Sequence, residues 1–292
     1  MKTKILKYTA VAVLILFSAC NLTPNLDMVG MFYGQSPRNN VRFEQSLRYN
    51  EEHSVCRTLT LPADEYKVYV ATDMHIDSTW HNTLMWAEAA EADADAPFAL
   101  VLGDVINAQG NYPHFLEAVK PLEKPWFCTA GNHDIYFGQW NDFLENVGSS
   151  TYYFVAQTPH ARDLYICIDT SDATLGTKQL RWLRSLLEEK SKEGYRHIVV
   201  FTHTHMFKRD ASQGHTSNFS MEETYELTQL LAEYGVEWYL SGHDHHREVT
   251  DFKGVKYIIV DTLQDPEPGA AYMIATIGDD MKYQFVEMAG NK

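Results

Sequence analysis

The chain is poor in cysteine, with four in 292 residues. One of them, Cys20, closes an N-terminal apolar stretch. The other three, Cys56, Cys128 and Cys167, leave at least one thiol unpaired, so no disulfide framework is indicated. Cys128 and Cys167 sit in strand-like apolar runs, where a free cysteine is an ordinary small core residue. Basic residues are scarce as well: lysine and arginine number 24 against 39 acids, a formal net charge of −15. So acidic a surface disfavours DNA or RNA, whose binding needs many basic contacts, and no nucleic acid polymer is expected as a partner. Long hydrophobic runs are missing too. The apolar stretch 10–17 is too short to span a bilayer comfortably. There is no long low-complexity stretch and no internal repeat. No H-E-x-x-H appears, which removes the helical signature of a zinc peptidase.

What is present begins with a processing signal. Lys2, Lys4 and Lys7 precede the apolar stretch, and Ser18-Ala19-Cys20 follow it. Small residues before a cysteine resemble the bacterial lipoprotein signal, cleaved before a lipid-modified Cys20. The first 19 residues are therefore set apart from the fold as a signal peptide, which moves the net charge from −15 to about −18 by removing three lysines. The expected location is the cell envelope, lipid-anchored to a bacterial membrane on its periplasmic or surface face. Residues 20–65 read as a tether and N-terminal extension, of which 42–60 suits either a helix or a strand packed on the domain. Residues 66–292 are expected to form one domain, since a chain of this length buries a full core.

Five short apolar runs each end in a residue able to hold a divalent metal. They lead into Asp73-Met74-His75, Gly103-Asp104, Gly131-Asn132-His133-Asp134, His203, and Gly242-His243-Asp244-His245. Such runs, rich in β-branched and aromatic residues, suit buried strands. In open α/β sheets the ligand crevice lies outside the carboxyl ends of the strands, so these five segments are expected to meet at one edge of one sheet, as a site for two metals. The spacing is 29 residues from His75 to Asp104 and 28 from Asp104 to Asn132. That is the length of a strand, crossover helix and next strand, so the first three strands are expected to be parallel. Helices are expected over 80–94, 112–119, 178–192 and 222–234. Strands dominate after residue 246. The fold class is α/β: a two-sheet β-sandwich flanked by helices.

These motifs, in this order and approximate spacing, resemble the calcineurin-like metallophosphoesterases over roughly residues 66–262, and the family implies an αββα arrangement. The resemblance implies that Asp73, His75 and His245 hold one metal, that Asn132, His203 and His243 hold the other, and that Asp104 bridges both. His205 lies near enough in sequence to compete with His203, although family ligands come directly at the strand end. In the family the histidine after the asparagine, here His133, contacts the phosphoryl group or protonates the leaving oxygen. Asp134 beside it is expected to hold that imidazole in position. Lys208, Arg209, His81 and His215 are weaker candidates for lining the substrate crevice.

The chemistry is consistent with that assignment. Phosphate ester hydrolysis needs a nucleophile at neutral pH and compensation of phosphoryl charge, and two metals about 3.5–4 Å apart supply both. A mixed nitrogen and oxygen donor set suits Mn, Fe or Zn better than calcium. Two divalent ions against Asp73, Asp104 and a hydroxide leave the site positive, so a small phosphorylated substrate can enter despite the acidic exterior. One position departs from a branch of the family. Purple acid phosphatases place a tyrosine three residues after the bridging aspartate, where this chain has Asn107; a ferric–tyrosinate site is not expected. The alternative reading is a binding lipoprotein that kept the fold without turnover, but every motif position is filled.

Overall fold

Strands buried on both faces need no polar alternation, and the apolar runs of this chain show almost none. The computed structural model describes residues 36–288 apart from 56, 211–213 and 217–218, and excludes the side chains of 208–210 and 214–216. The expected signal peptide, Cys20 and most of the expected tether thus lie outside the described residues, as do the side chains of Lys208, Arg209 and His215. The chain enters through helix α1 (Asn39–His53) and strand β1 (Thr58–Thr60). Residues 42–60, which suited either a helix or a strand, supply both. Then come β2 (Tyr66–Ala71), α2 (His81–Ala92), β3 (Phe98–Val101), α3 (Tyr112–Val119) and β4 (Trp126–Cys128). Helix α4 (Trp140–Asn146) leads to β5 (Tyr152–Gln157), β6 (Arg162–Cys167), α5 (Gly176–Lys190) and β7 (His197–Phe201). The remainder is β8 (Lys208–Asp210), β9 (Gly214–Thr216), α6 (Met221–Glu233), β10 (Trp238–Ser241), β11 (Glu248–Phe252), β12 (Val255–Ile259), β13 (Ala271–Ile277) and β14 (Met281–Glu287).

Two sheets result. One has five strands in the order β14-β13-β2-β3-β4, the other seven in the order β1-β5-β6-β7-β10-β12-β11. The β2–β3 and β3–β4 pairs are parallel, as the spacing required. Alternate residues of each strand face opposite ways, which builds the layers. Val68 and Val70 of β2 point between the sheets, with Leu100, Phe127, Phe154, Tyr165 and Phe201. Tyr69 and Ala71 point outward to Trp86 of α2, Phe115 of α3 and Phe143 of α4. On the other side Ile198 and Val200 of β7 pack on Leu183 and Leu187 of α5 and Leu227 and Leu231 of α6. The layers are helix, sheet, sheet, helix. Among the described residues no helix is long and apolar enough to cross a membrane.

At the end of the sandwich where β7 starts, a histidine ties the sheets together. His197 Nδ1 lies 2.8 Å from Glu237 Oε1 and Nε2 lies 2.9 Å from the Gly278 carbonyl, in the turn joining β13 to β14. Both partners are acceptors, so the doubly protonated ring satisfies both. Burial disfavours that charge, but Glu237, the Gly278 carbonyl and Asp163 outweigh it and raise the pKa. With the folded pKa above the unfolded value of about 6.5, this stabilisation is full below that pH and fades as pH rises through the folded pKa. His197→Gln is therefore expected to cost on the order of 1 kcal/mol at pH 5.5 and less at pH 8.5. Urea midpoints at the two pH values measure it. A cost independent of pH would show that the imidazole is neutral.

Candidate metal centre

The loop after β2 runs beside the loop after β3. Asp73 N donates to the Gly103 carbonyl, His75 N to that of Asp104 and Ile76 N to that of Val105, each at 3.0 Å. To turn their side chains inward the loops adopt an uncommon backbone. Asp73, His75, Asp104, His243 and His245 all have positive φ, between 43° and 73°. Each such residue costs of order 1–3 kcal/mol and persists where its surroundings demand it. Two motif glycines permit the close approach. A Cβ on Gly131 would overlap the Asp104 carboxylate, and one on Gly242 would overlap Thr72 Oγ1 and Asp73 Oδ2.

The convergence of side chains corrects one expectation. The ligand segments do not share one sheet edge: β2, β3 and β4 belong to the five-stranded sheet, β7 and β10 to the seven-stranded one. The centre lies where the ends of both sheets meet, because which sheet a strand joins is settled by long-range pairing that local pattern does not reveal. There the residues form overlapping groups. Asp73, His75 and His245 offer ligand atoms within 4.8 Å of one another, as do Asp104, His203 and His243. His75 Nε2 is 2.9 Å from His245 Nε2, and His245 Nε2 is 3.3 Å from Asp73 Oδ1. Asn132 Oδ1 is 3.0 Å from His203 Nε2 and 2.8 Å from His243 Nδ1. Asp104 Oδ2 sits between the groups, 3.6 Å from His75 Nε2 and 3.4 Å from His203 Nε2.

These donors fit metal ions on their own chemistry. Asp73 Oδ1 is buried without a hydrogen-bond partner. Its Oδ2 is already held by Thr72 Oγ1 and His243 N, both at 2.8 Å. His203 Nδ1 is bonded to the Leu102 carbonyl at 2.8 Å, which leaves the Nε2 lone pair facing inward. That is how a ligating imidazole is commonly oriented. Electrostatics agree. Burial works against the Asp73 and Asp104 charges, yet the surrounding imidazoles hold both carboxyls below the usual range. Burial likewise opposes the His203 charge, but Asp104 lifts that pKa to about 9. Burial and the charge on His203 push His243 down to about 3. The two buried carboxylates thus favour positive charge on His203, while His243 stays neutral.

Three further histidines lie outside these donor groups. His205 is buried with its ring 5.6 Å from that of His243, outside the group His203 joins. His81 is exposed at the start of α2, and His246 is exposed beyond the motif. His133 is half-buried, its ring edge-on to His75 at 4.5 Å, and its atoms also come within 4.8 Å of His75 and Asp104. Burial lowers its pKa, opposed by Asp104 and the Asn107 backbone.

Asp134 does not hold the His133 ring as expected. Its buried Oδ2 accepts from Asp104 N and Gly131 N at 2.8 Å, and Oδ1 from Val105 N at 3.2 Å. It staples the β3 loop to the β4 loop, and burial with the Asp104 charge pushes its pKa up to about 7. Sequence reading also passed over the polar residues that end the apolar runs. Thr72 braces Asp73, Thr202 Oγ1 donates to the Ile168 carbonyl at 2.7 Å, and Thr129 Oγ1 to the same carbonyl at 3.1 Å. A lone hydroxyl at the end of an otherwise apolar strand is the signal that marked them.

Gly242→Ala is expected to lose at least about tenfold in metal affinity, because the added methyl displaces Asp73 Oδ2 and its brace. Metal titration with a thermal melt measures this. Wild-type affinity in the variant would show that the loop has room the structure does not.

Comparison with known proteins follows the same lines. A model of the calcineurin-like phosphoesterase family matches residues 66–247. The chain is 25% identical over 158 residues to the 3',5'-cyclic adenosine monophosphate phosphodiesterase CpdA of Haemophilus influenzae. That match covers 53% of this chain and 57% of the relative, little more than half its length. Among solved structures, GAP50, the anchor in the inner membrane complex of Plasmodium, superposes with a TM-score of 0.61 at 16% identity, covering 78% of this chain and 86% of that one. A purple acid phosphatase from yellow lupin seeds gives 0.60 at 14% identity, covering 78% and 52%. At these identities the structural likeness shows the fold alone.

Proposed function

Because the chain belongs to the calcineurin-like phosphoesterase family, we propose that it hydrolyses small phosphate esters at a dinuclear metal centre. The observation that carries this reading is the place of Asp104, one carboxylate within reach of both donor groups. Asp73, His75 and His245 would hold one ion, and Asn132, His203 and His243 the other. The mixed donors suit Mn, Fe or Zn. Such a pair of ions supplies an acidified water and neutralises phosphoryl charge. The protein's part is to hold its ligands in strained, pre-set positions and to aim His133 at the same pocket. His133 contacts a phosphoryl oxygen or gives a proton to the leaving oxygen. The substrate is a small phosphorylated molecule. The named activity of the Haemophilus relative makes a cyclic nucleotide diester the first candidate within that class. The test is a panel of monoesters and linear and cyclic diesters on the Mn-loaded protein. Turnover on none of them, with two ions bound, would overturn the reading.

The same proposal places the enzyme in the cell envelope, anchored through a lipid on Cys20. The support is the lysine-rich start, the short apolar stretch and Ser18-Ala19-Cys20. Lipidation takes place at the thiol, so Cys20→Ser is expected to move the protein out of the membrane fraction and leave turnover unchanged. Fractionation with an acyl label measures this. No label on the wild type would refute the anchor and leave the catalytic reading standing.

A further inference from the structure

Helix α1 lies outside the matched family region, which begins at residue 66. Among the side chains it buries is a cation: Arg42 is fully enclosed. Its Nε and Nη2 fork onto both oxygens of Asp169, at 2.9 and 3.2 Å. Nη2 also donates to Ser171 Oγ, and Nη1 to Asp172 Oδ2, both at 3.0 Å. A buried ion pair adds little net stability over apolar packing, but its directional bonds fix one arrangement of the segments it joins.

The segment Arg42 fixes is the one after β6. Thr170, next to Asp169, shares a hydrogen bond with Thr202 Oγ1 at 2.7 Å and accepts from Thr204 N at 2.8 Å. Thr204 Oγ1 returns a bond to the Thr170 carbonyl at 2.7 Å. Both neighbours of His203 are therefore tied to the residue beside Asp169. The N-terminal segment reaches a second loop independently. Ser36 Oγ donates to the Ile135 carbonyl, and Gln45 Oε1 of α1 accepts from Trp140 Nε1 at 2.8 Å. Those contacts brace the chain just after Asn132. Asp73 is held from elsewhere, by Thr72 and by Thr262 Oγ1 on its carbonyl.

We propose that α1 is a clamp on one ion position of the pair, the set of Asn132, His203 and His243, with Arg42 as its positioning residue. This rests on the dinuclear reading above. Arg42 touches no ligand itself; it acts through Asp169, Thr170 and the threonines flanking His203.

The experiment titrates the full chain with Mn2+ alone, by calorimetry, and records thermal midpoints alongside. Arg42→Lys keeps a charge beside Asp169 but loses the fork, so it should fold. The ion held by Asn132, His203 and His243 is expected to weaken by up to about tenfold, the low end of the cost of losing a direct hydrogen-bond partner of a ligand, because Arg42 acts at one remove further. The other ion should be unaffected. In a His245→Ala background, which removes the first ion, the weakening should persist; in a His243→Ala background it should vanish. Gln45→Ala leaves the ion pair intact and is expected to weaken the same ion by a smaller factor. It keeps the test open if Arg42→Lys does not fold. Equal weakening of both ions, or a lowered midpoint with unchanged affinities, would make α1 a structural brace and overturn the clamp. Fewer than two ions in the wild type would overturn the dinuclear reading instead.

Discussion

Asp104→Asn is expected to abolish turnover, by at least about a thousandfold, and to reduce the ions bound per chain. The variant is nearly isosteric, so it separates charge from shape. In the wild type Asp104 Oδ1 accepts from His133 N at 2.7 Å, and Oδ2 faces His75 and His203. Asparagine can keep the first contact through its oxygen. It then presents an amide N–H to two imidazole nitrogens and to whatever cation they hold, where a bridging ligand needs a lone pair and a charge. Metal-supplied stabilisation amounts to several kcal/mol, and each ~1.4 kcal/mol is a factor of ten, which sets the size of the loss. Turnover and metal content measured on one preparation test it. Near-normal turnover with two ions retained would remove Asp104 from the bridging role, and with it the strongest support for a dinuclear centre.

The parts of this site that a sequence can reveal are those whose chemistry is local. Each ligand block follows directly on its strand, so the change from apolar run to Asp, Asn or His was visible at all five places. The same holds for α3: Asn111 precedes it and Pro113 occupies its first turn, and its bounds were read as they stand. Partition of the strands between two sheets was not visible. Runs such as β3 and β7 are alike in composition, and only pairing with β2 or with β10 decides where each goes. The role of Asp134 was hidden for a related reason. Two of its three partners are backbone N–H groups some thirty residues away, which carry no side-chain signature. Helix α1 was undecided because it lacks an apolar stripe; among its buried residues are Asn39, Arg42 and Ser46. Polar burial of that kind inverts the periodic signal that marks a packed helix.

His133→Ala is expected to keep both ions and lose about a hundred- to ten-thousandfold in turnover, the range for a general acid–base group. Two placements compete for this residue. Its ring atoms come within 4.8 Å of His75 and Asp104, close enough for a third donor group. Yet the atoms around it are already claimed: Asp104 stands between the Asp73 and His203 groups, and His75 Nε2 faces His245. His133 is half-buried, as His243 and His245 are, so its place rather than its burial separates the two placements. A ring on the open side of the centre is placed to meet a substrate. If it delivers a proton to the leaving oxygen, the loss should shrink for esters whose leaving group needs none. A nitrophenyl ester should then fall far less than an alkyl ester, and a plot of rate against leaving-group pKa should steepen in the variant. An equal loss on both esters would assign His133 to the phosphoryl oxygens instead. One ion missing from the variant would make it a ligand and reassign the second donor group.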